Sequence, residues 1–140
     1  MSSTYARLYV HFVWATKGRE RWITPEIAPR MHGLIAARCV ALECVAVAIG
    51  GVEDHVHALV GLKPDVDVAR LAREMKAPSS AFMHGELGVT GFAWQEGYGA
   101  FTLRDTELDD VRLYVRDQPR HHADGKIITE WERCSPPRVR

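Results

Sequence analysis

The stretch from Tyr5 to Thr16 contains Leu8-Tyr9-Val10-His11-Phe12-Val13-Trp14, an aromatic and β-branched run with almost no polar side. A strand with one wet face alternates apolar and polar residues, and this one does not, so it predicts a strand buried on both faces. The rest of the chain has to supply cover for two sides of one strand.

Lys17-Gly18-Arg19-Glu20-Arg21 reads as a polar loop, and Thr24-Pro25-Glu26 as a helix start with Thr24 as N-cap and Pro25 in the first turn. That helix is expected to run to about Leu42, followed by a second strand from Cys44 to Ile49. Gly50-Gly51-Val52-Glu53-Asp54 predicts a turn supplied with positive φ by its glycines, and His55 to Leu62 a third strand. Val68, Leu71, Met75 and Phe82 fall near one face of a helix over residues 66–83, disturbed at Pro78. A fourth strand is expected over Gly97 to Leu103, and a final helix from about Leu108 that ends or kinks at Pro119. The order β-α-β-β-α-β-α is that of an α+β, ferredoxin-like (RRM-like) sandwich: an antiparallel sheet with helices on one face plus an added C-terminal helix.

At 140 residues and 46% hydrophobic the chain suits one domain burying roughly 70% of its unfolded surface. Eighteen Lys and Arg balance eighteen Asp and Glu, which argues against tight, sequence-indifferent binding to duplex DNA. The balance hides a basic start, with six basic and two acidic side chains in residues 1–40, and a basic end, with five and three in residues 119–140. Cys39, Cys44 and Cys134 form no C-x-x-C pair and cannot all pair, which fits inert thiols in a reducing compartment. Ile35 to Val52 is interrupted by Arg38, Glu43 and a Gly-Gly pair, a poor membrane span, and the N-terminus lacks a signal-peptide pattern. A soluble, cytoplasmic protein without a membrane partner is expected.

Chemistry concentrates in His55-Val56-His57. On a strand, side chains two apart share a face, so both imidazoles point one way while Val56, Ala58 and Val60 point into the opposite core. Two imidazoles on one rigid strand make half of a divalent-metal site; the plainer reading is a polar pair on an exposed sheet face. On the final helix Tyr114 and Gln118, four apart, lie about 40° from each other at the edge of an apolar arc of Leu108, Val111 and Val115. A Gln carboxamide oxygen can complete a hard-cation site with the tyrosine hydroxyl beside it; equally, Tyr114 is a core-edge aromatic with its hydroxyl in water.

Four segments in fixed order carry a resemblance: Val10-His11-Phe12-Val13-Trp14-Ala15-Thr16-Lys17; Asp54-His55-Val56-His57; Trp94-Gln95-Glu96-Gly97-Tyr98-Gly99-Ala100-Phe101; and Tyr114-Val115-Arg116-Asp117-Gln118 followed by His121-His122. Together they make the chain resemble the small single-tyrosine HUH transposases of IS200/IS605-type insertion sequences and their REP-associated tyrosine transposase relatives. Met75-Lys76-Ala77-Pro78-Ser79-Ser80 also resembles the family's second-helix segment, whereas Glu53 and Asp117 stand where Pro and Asn are common. The resemblance treats residues 1–140 as one such domain, with its core at about 5–122 and a C-terminal tail at 123–140.

What the resemblance implies is cleavage and rejoining of single-stranded DNA at hairpin-bearing element ends. Tyr114 would be the nucleophile, forming a 5′-phosphotyrosine, with His55, His57 and Gln118 holding one Mg²⁺ or Mn²⁺. The implied partners are hairpin DNA and a second copy of the chain, a homodimer whose active sites are shared between subunits. Candidate DNA contacts are Lys17, Arg19 and Arg21, then Arg73 and Lys76, with Arg133, Arg138 and Arg140 in the tail; Trp22, Phe92 and Trp94 are candidate stacking platforms, Trp94 equally a core plug. A domesticated or inactive relative that binds or nicks repeat hairpins would keep the same residues. A histidine-triad hydrolase would need a third His where Leu59 stands, and a non-enzymatic ferredoxin-like RNA binder would need aromatics on the open face where His55, His57 and Leu59 lie.

Overall fold

A computed structural model describes residues 3–136; Arg138 and Arg140, named above as candidate DNA contacts, lie outside the described residues. Four strands, β1 (Tyr9–Ala15), β2 (Val45–Val52), β3 (His55–Gly61) and β4 (Gly99–Thr102), form one sheet in the order β2-β3-β1-β4. Every pairing is antiparallel. Helices α1 (Ala28–Ala41) and α2 (Val68–Ala81) connect the strands, and α3 (Leu108–Arg116) and α4 (Gln118–Ala123) follow β4. This is the expected ferredoxin-like α+β sandwich.

β1 sits between β3 and β4, which explains its composition. Val10, Phe12 and Trp14 enter a core with Met31 and Ile35 of α1, Leu71 and Met75 of α2, and Val56, Ala58 and Val60 of β3. His11, Val13 and Ala15 face the other side, where α3 lies on the sheet through Val111 and Val115 against Leu59, and Cys134 closes over Val13 and Ala15. The strand is covered on both faces because the helices of the sandwich cover one and the C-terminal third of the chain covers the other.

Several boundaries differ from the sequence expectation, each for a physical reason. β1 starts at Tyr9 rather than Tyr5, which is 82% exposed. Thr24 is not a side-chain cap: its carbonyl accepts from Ile27 N and Ala28 N in a turn, and the first-turn proline is Pro29. A proline φ near −65° fits a turn as well as a helix start, so Pro25 alone could not decide. α2 continues through Pro78, where Ser79 Oγ donates to the Met75 and Lys76 carbonyls, and a π-type turn, Phe82–Glu86, follows it.

The largest difference concerns the glycine pair, which does not turn the chain. Gly50 and Gly51 pair with His57 and Val56, and β2 runs on to Val52, leaving only Glu53 and Asp54 between the strands. A Cβ at Gly50 would lie 1.9 Å from the Val115 carbonyl oxygen. The glycine is there so that the backbone of α3 can rest directly on the sheet. The final helix breaks at Asp117 (φ −97°, ψ 23°) and resumes as α4 with Pro119 in its first turn.

Candidate active site

β3 presents His55 and His57 on the face that α3 and α4 cover, and both are buried. Tyr114 comes from the last turn of α3 and Gln118 from the start of α4. The break between them preserves the four-residue relation, since Gln118 Nε2 donates to the Tyr114 carbonyl at 3.1 Å. Gln118 Oε1 lies 3.2 Å from His55 Nε2, and the Tyr114 ring centroid is 5.9 Å from that of His57. The four site residues expected from the sequence thus meet in one cluster, within a single chain.

Four further groups join them. His122, one turn past Gln118, brings Nε2 to 3.0 Å from Gln118 Oε1. Asp54 Oδ1 is 2.7 Å from His55 Nδ1. His11 Nε2 is 2.7 Å from His57 Nδ1, both rings buried. Glu132 enters from the C-terminal segment, with Oε1 at 3.1 Å from His55 Nε2, 3.2 Å from His57 Nε2 and 3.4 Å from His122 Nε2, while Oε2 accepts the Tyr114 hydroxyl. His122 and His11 stood in the quoted motifs without a role, and Asp54 is adjacent to the His pair. Glu132 has no local signal at all.

The segment expected to be a tail holds this arrangement shut. Ile128 N donates to the Tyr114 hydroxyl at 2.9 Å, Trp131 packs edge-on against Tyr114 at 5.0 Å, and Gln95 Nε2 donates to the Cys134 carbonyl at 2.9 Å. Arg133 crosses β4 at Gly99, where a Cβ would lie 2.0 Å from its carbonyl oxygen. Tyr114 is consequently only 4% exposed.

The electrostatics follow from burial and these bonds. Burial opposes charge on His55, but Asp54 and Glu132 outweigh it and hold the ring up at about 9. Burial would raise Glu132 too, yet bonds to His55, His57 and Tyr114 keep it well below the usual carboxylate range. Burial drives His11 down to about 3, assisted by His57, and pushes the Tyr114 phenol up to about 12, assisted by Glu132. The nucleophile candidate is therefore neutral at physiological pH.

Three of these residues, His55, His122 and Glu132, bring ligand atoms within 4.8 Å of one another. With His57 Nε2 and Gln118 Oε1 beside them, the donor set is mixed imidazole nitrogen and hard oxygen, a set able to hold a divalent cation.

The candidate DNA contacts separate into two groups. Lys17, Arg19 and Arg21 are exposed near the cluster: Arg19 Nη1 lies 3.8 Å from Asp54 Oδ2, and Arg21 lines a cleft of about 390 Å³ with Asp54, Pro119 and His122. Arg73 and Lys76 lie on α2, across the sheet, where Lys76 Nζ donates to the Gln95 and Gly97 carbonyls at 2.9 and 2.7 Å. Trp94 plugs the core, with Nε1 donating to Ser79 Oγ and its ring edge-on to Trp14 and Phe92, which is itself buried; Trp22 is half-buried against the same core.

Residues 4–118 match the family model described as Transposase IS200 like. Among solved structures the chain is similar to a candidate transposase from Deinococcus radiodurans R1, with a TM-score of 0.67 and 21% identity, over 84% of this chain and 95% of that one. It is also similar to a REP-associated tyrosine transposase bound to a REP hairpin, with a TM-score of 0.63 and 15% identity, over 91% of this chain and 74% of that one. No curated protein matches the chain.

Proposed function

Because this chain belongs to the IS200-like transposase family, matched over residues 4–118, and is a transposase, we propose that it cuts and rejoins single-stranded DNA through a covalent bond to Tyr114. The observation that carries this reading is the convergence of Tyr114 with His55, His57 and Gln118 in one cluster built from β3, α3 and α4, its hydroxyl bonded to the Glu132 carboxylate that also faces both histidines. The Tyr114 oxygen forms a bond to phosphorus and gives up its proton, while the bond to the 3′ oxygen breaks and that oxygen takes up a proton. The products are a 5′-phosphotyrosine and a free 3′-hydroxyl, and attack by another 3′-hydroxyl reverses the step without ATP.

A phenol held neutral near 12 is a weak nucleophile, so stabilisation of charge at the phosphate is what the reaction most needs. Held by His55, His57 and Gln118, with His55 in its neutral form, a Mg²⁺ or Mn²⁺ ion would supply that stabilisation. His122 and Glu132 lie within reach of the same position. Asp54 orients His55 through its Nδ1, and Gln118 is held by its bond to the Tyr114 carbonyl. The Tyr114 hydroxyl is covered by residues 128–134, so a phosphate reaches it only with that segment displaced. The cleft lined by Arg21, Asp54 and His122 opens beside the cluster and gives a strand its approach.

Hairpin DNA is the proposed substrate, supported by the hairpin bound to the similar REP-associated transposase. Lys17, Arg19 and Arg21 are the proposed phosphate contacts next to the reacting strand, and Arg73 and Lys76 a second contact across the sheet. The proposal includes a homodimer engaging two element ends in the cytoplasm, each chain using its own tyrosine, since the cluster is complete within one chain. The test is incubation with single-stranded oligonucleotides from the flanking genomic DNA, with Mg²⁺ or EDTA. A protein–DNA adduct on a denaturing gel is expected in Mg²⁺ alone. An adduct that forms equally in EDTA or persists in Tyr114→Phe overturns the mechanism.

A further inference from the structure

His57 can offer Nε2 to a cation only in the tautomer that carries its proton on Nδ1, and a buried N–H needs an acceptor. Metal-bound histidines commonly donate this proton to a carboxylate, a backbone carbonyl or water. His55 follows that pattern with Asp54. His57 does not: its Nδ1 faces His11 Nε2 at 2.7 Å, and its Nε2 faces Glu132 Oε1 at 3.2 Å, a contact that a cation bound at Nε2 would replace.

The placement of His11 comes from the sheet. β1 pairs antiparallel with β3, with Val13 opposite His57 and His11 opposite Leu59, so His11 and His57 are diagonal neighbours on one face. The two rings stack at a centroid distance of 5.0 Å and an interplanar angle of 30°. Phe101 and Trp131 pack edge-on against His11 at 6.0 and 6.3 Å, and it is 1% exposed. A polar ring walled in this way, with its Nε2 aimed at one atom, is held for that atom.

We propose that His11 is a positioning residue: its neutral Nε2 accepts the Nδ1 proton of His57, fixes the tautomer and ring plane of His57, and so presents His57 Nε2 to the divalent cation. This inference rests on the reading of His57 as a metal ligand. It explains why a histidine stands buried in an otherwise apolar and aromatic strand, at a position that packing alone would fill with a phenylalanine or leucine. It also distinguishes the two ligand histidines, one oriented by a carboxylate that adds negative charge and one by a neutral ring that adds none.

The test measures Mn²⁺ affinity by calorimetry in the full chain without DNA, for wild type, His11→Phe and His11→Gln. Phenylalanine keeps the ring and removes the acceptor; glutamine places a carboxamide oxygen near the lost Nε2. His11→Phe is expected to bind Mn²⁺ about 10- to 100-fold more weakly, the range found when such partners of metal ligands are removed, and His11→Gln to recover most of the loss. Unchanged affinity in His11→Phe, or equal loss in both variants, would overturn the proposal. Absence of Mn²⁺ binding to the wild type would overturn the metal reading and this inference with it. A measurement that needs no variant is the ¹⁵N spectrum of the Mg²⁺-loaded wild type: a proton on His57 Nδ1 is expected, and one on Nε2 sinks the idea.

Discussion

Tyr114 makes two hydrogen bonds through its hydroxyl, to Ile128 N and Glu132, and both are lost in Tyr114→Phe. The variant should lose all adduct formation and about 2–4 kcal/mol of stability, the usual net worth of one neutral bond and one to a charged group, read by gel and by denaturant midpoint. Asp54→Ala removes the group that orients His55, so Mn²⁺ affinity should fall about tenfold or more, measured by calorimetry. His57→Ala should abolish cleavage while leaving hairpin affinity within a few fold, because the proposed phosphate contacts are not the proposed cation ligands. At this scale the sequence was informative where chemistry follows from short spacing. His55 and His57 share a face because a strand has period two, and Tyr114 meets Gln118 because four residues make about one helical turn. Glu132 reaches His57 across 75 positions and Tyr114 across 18, and no local periodicity encodes such a contact.

The element that positions Tyr114, the proposed nucleophile, is α3, and what seats it is the absence of a side chain at Gly50. Gly50→Ala places a Cβ 1.9 Å from the Val115 carbonyl oxygen, so the helix has to move off the sheet. We expect a loss of about 1–3 kcal/mol with a matching loss of adduct, read by thermal melting and gel. Gly33→Ala is the control: this exposed position in α1 has nothing within 4 Å, and alanine there should raise stability by up to about 1 kcal/mol with no change in cleavage. The Gly-Gly pair also shows why one element boundary was misread. Glycine is used where φ must be positive and where another backbone comes close, and the sequence presents the same letters for both. Here the pair serves both: Gly51 has a φ of 157°, while Gly50 admits the backbone of the third α-helix, which lies more than fifty residues downstream.

For the whole molecule, the cluster is complete in one chain, so mixing Tyr114→Phe protein with His57→Ala protein should yield no adduct. Recovery of adduct in the mixture would show tyrosine and histidine pair acting between subunits. Binding of Mn²⁺ to the folded state alone should stabilise it by about 2.7 kcal/mol at a hundredfold excess over the dissociation constant, visible as a raised melting temperature that EDTA removes. Zero net charge is compatible with this function, because Lys17, Arg19 and Arg21 gather beside the cluster while Arg73 and Lys76 lie across the sheet. The amino-acid sequence by itself determined the order of strands and helices, the burial of β1 on both faces, and the pairing of His55 with His57 on one strand face and of Tyr114 with Gln118 one helical turn apart, because each depends on a repeat or spacing within a few residues. Only the tertiary structure decided that His11 meets His57, that His122 and Glu132 complete the cluster, and that residues 128–134 cover the tyrosine. Those contacts depend on how four strands and a folded-back C-terminal segment come together in space, a constraint spread over the whole chain rather than written in any one stretch of it.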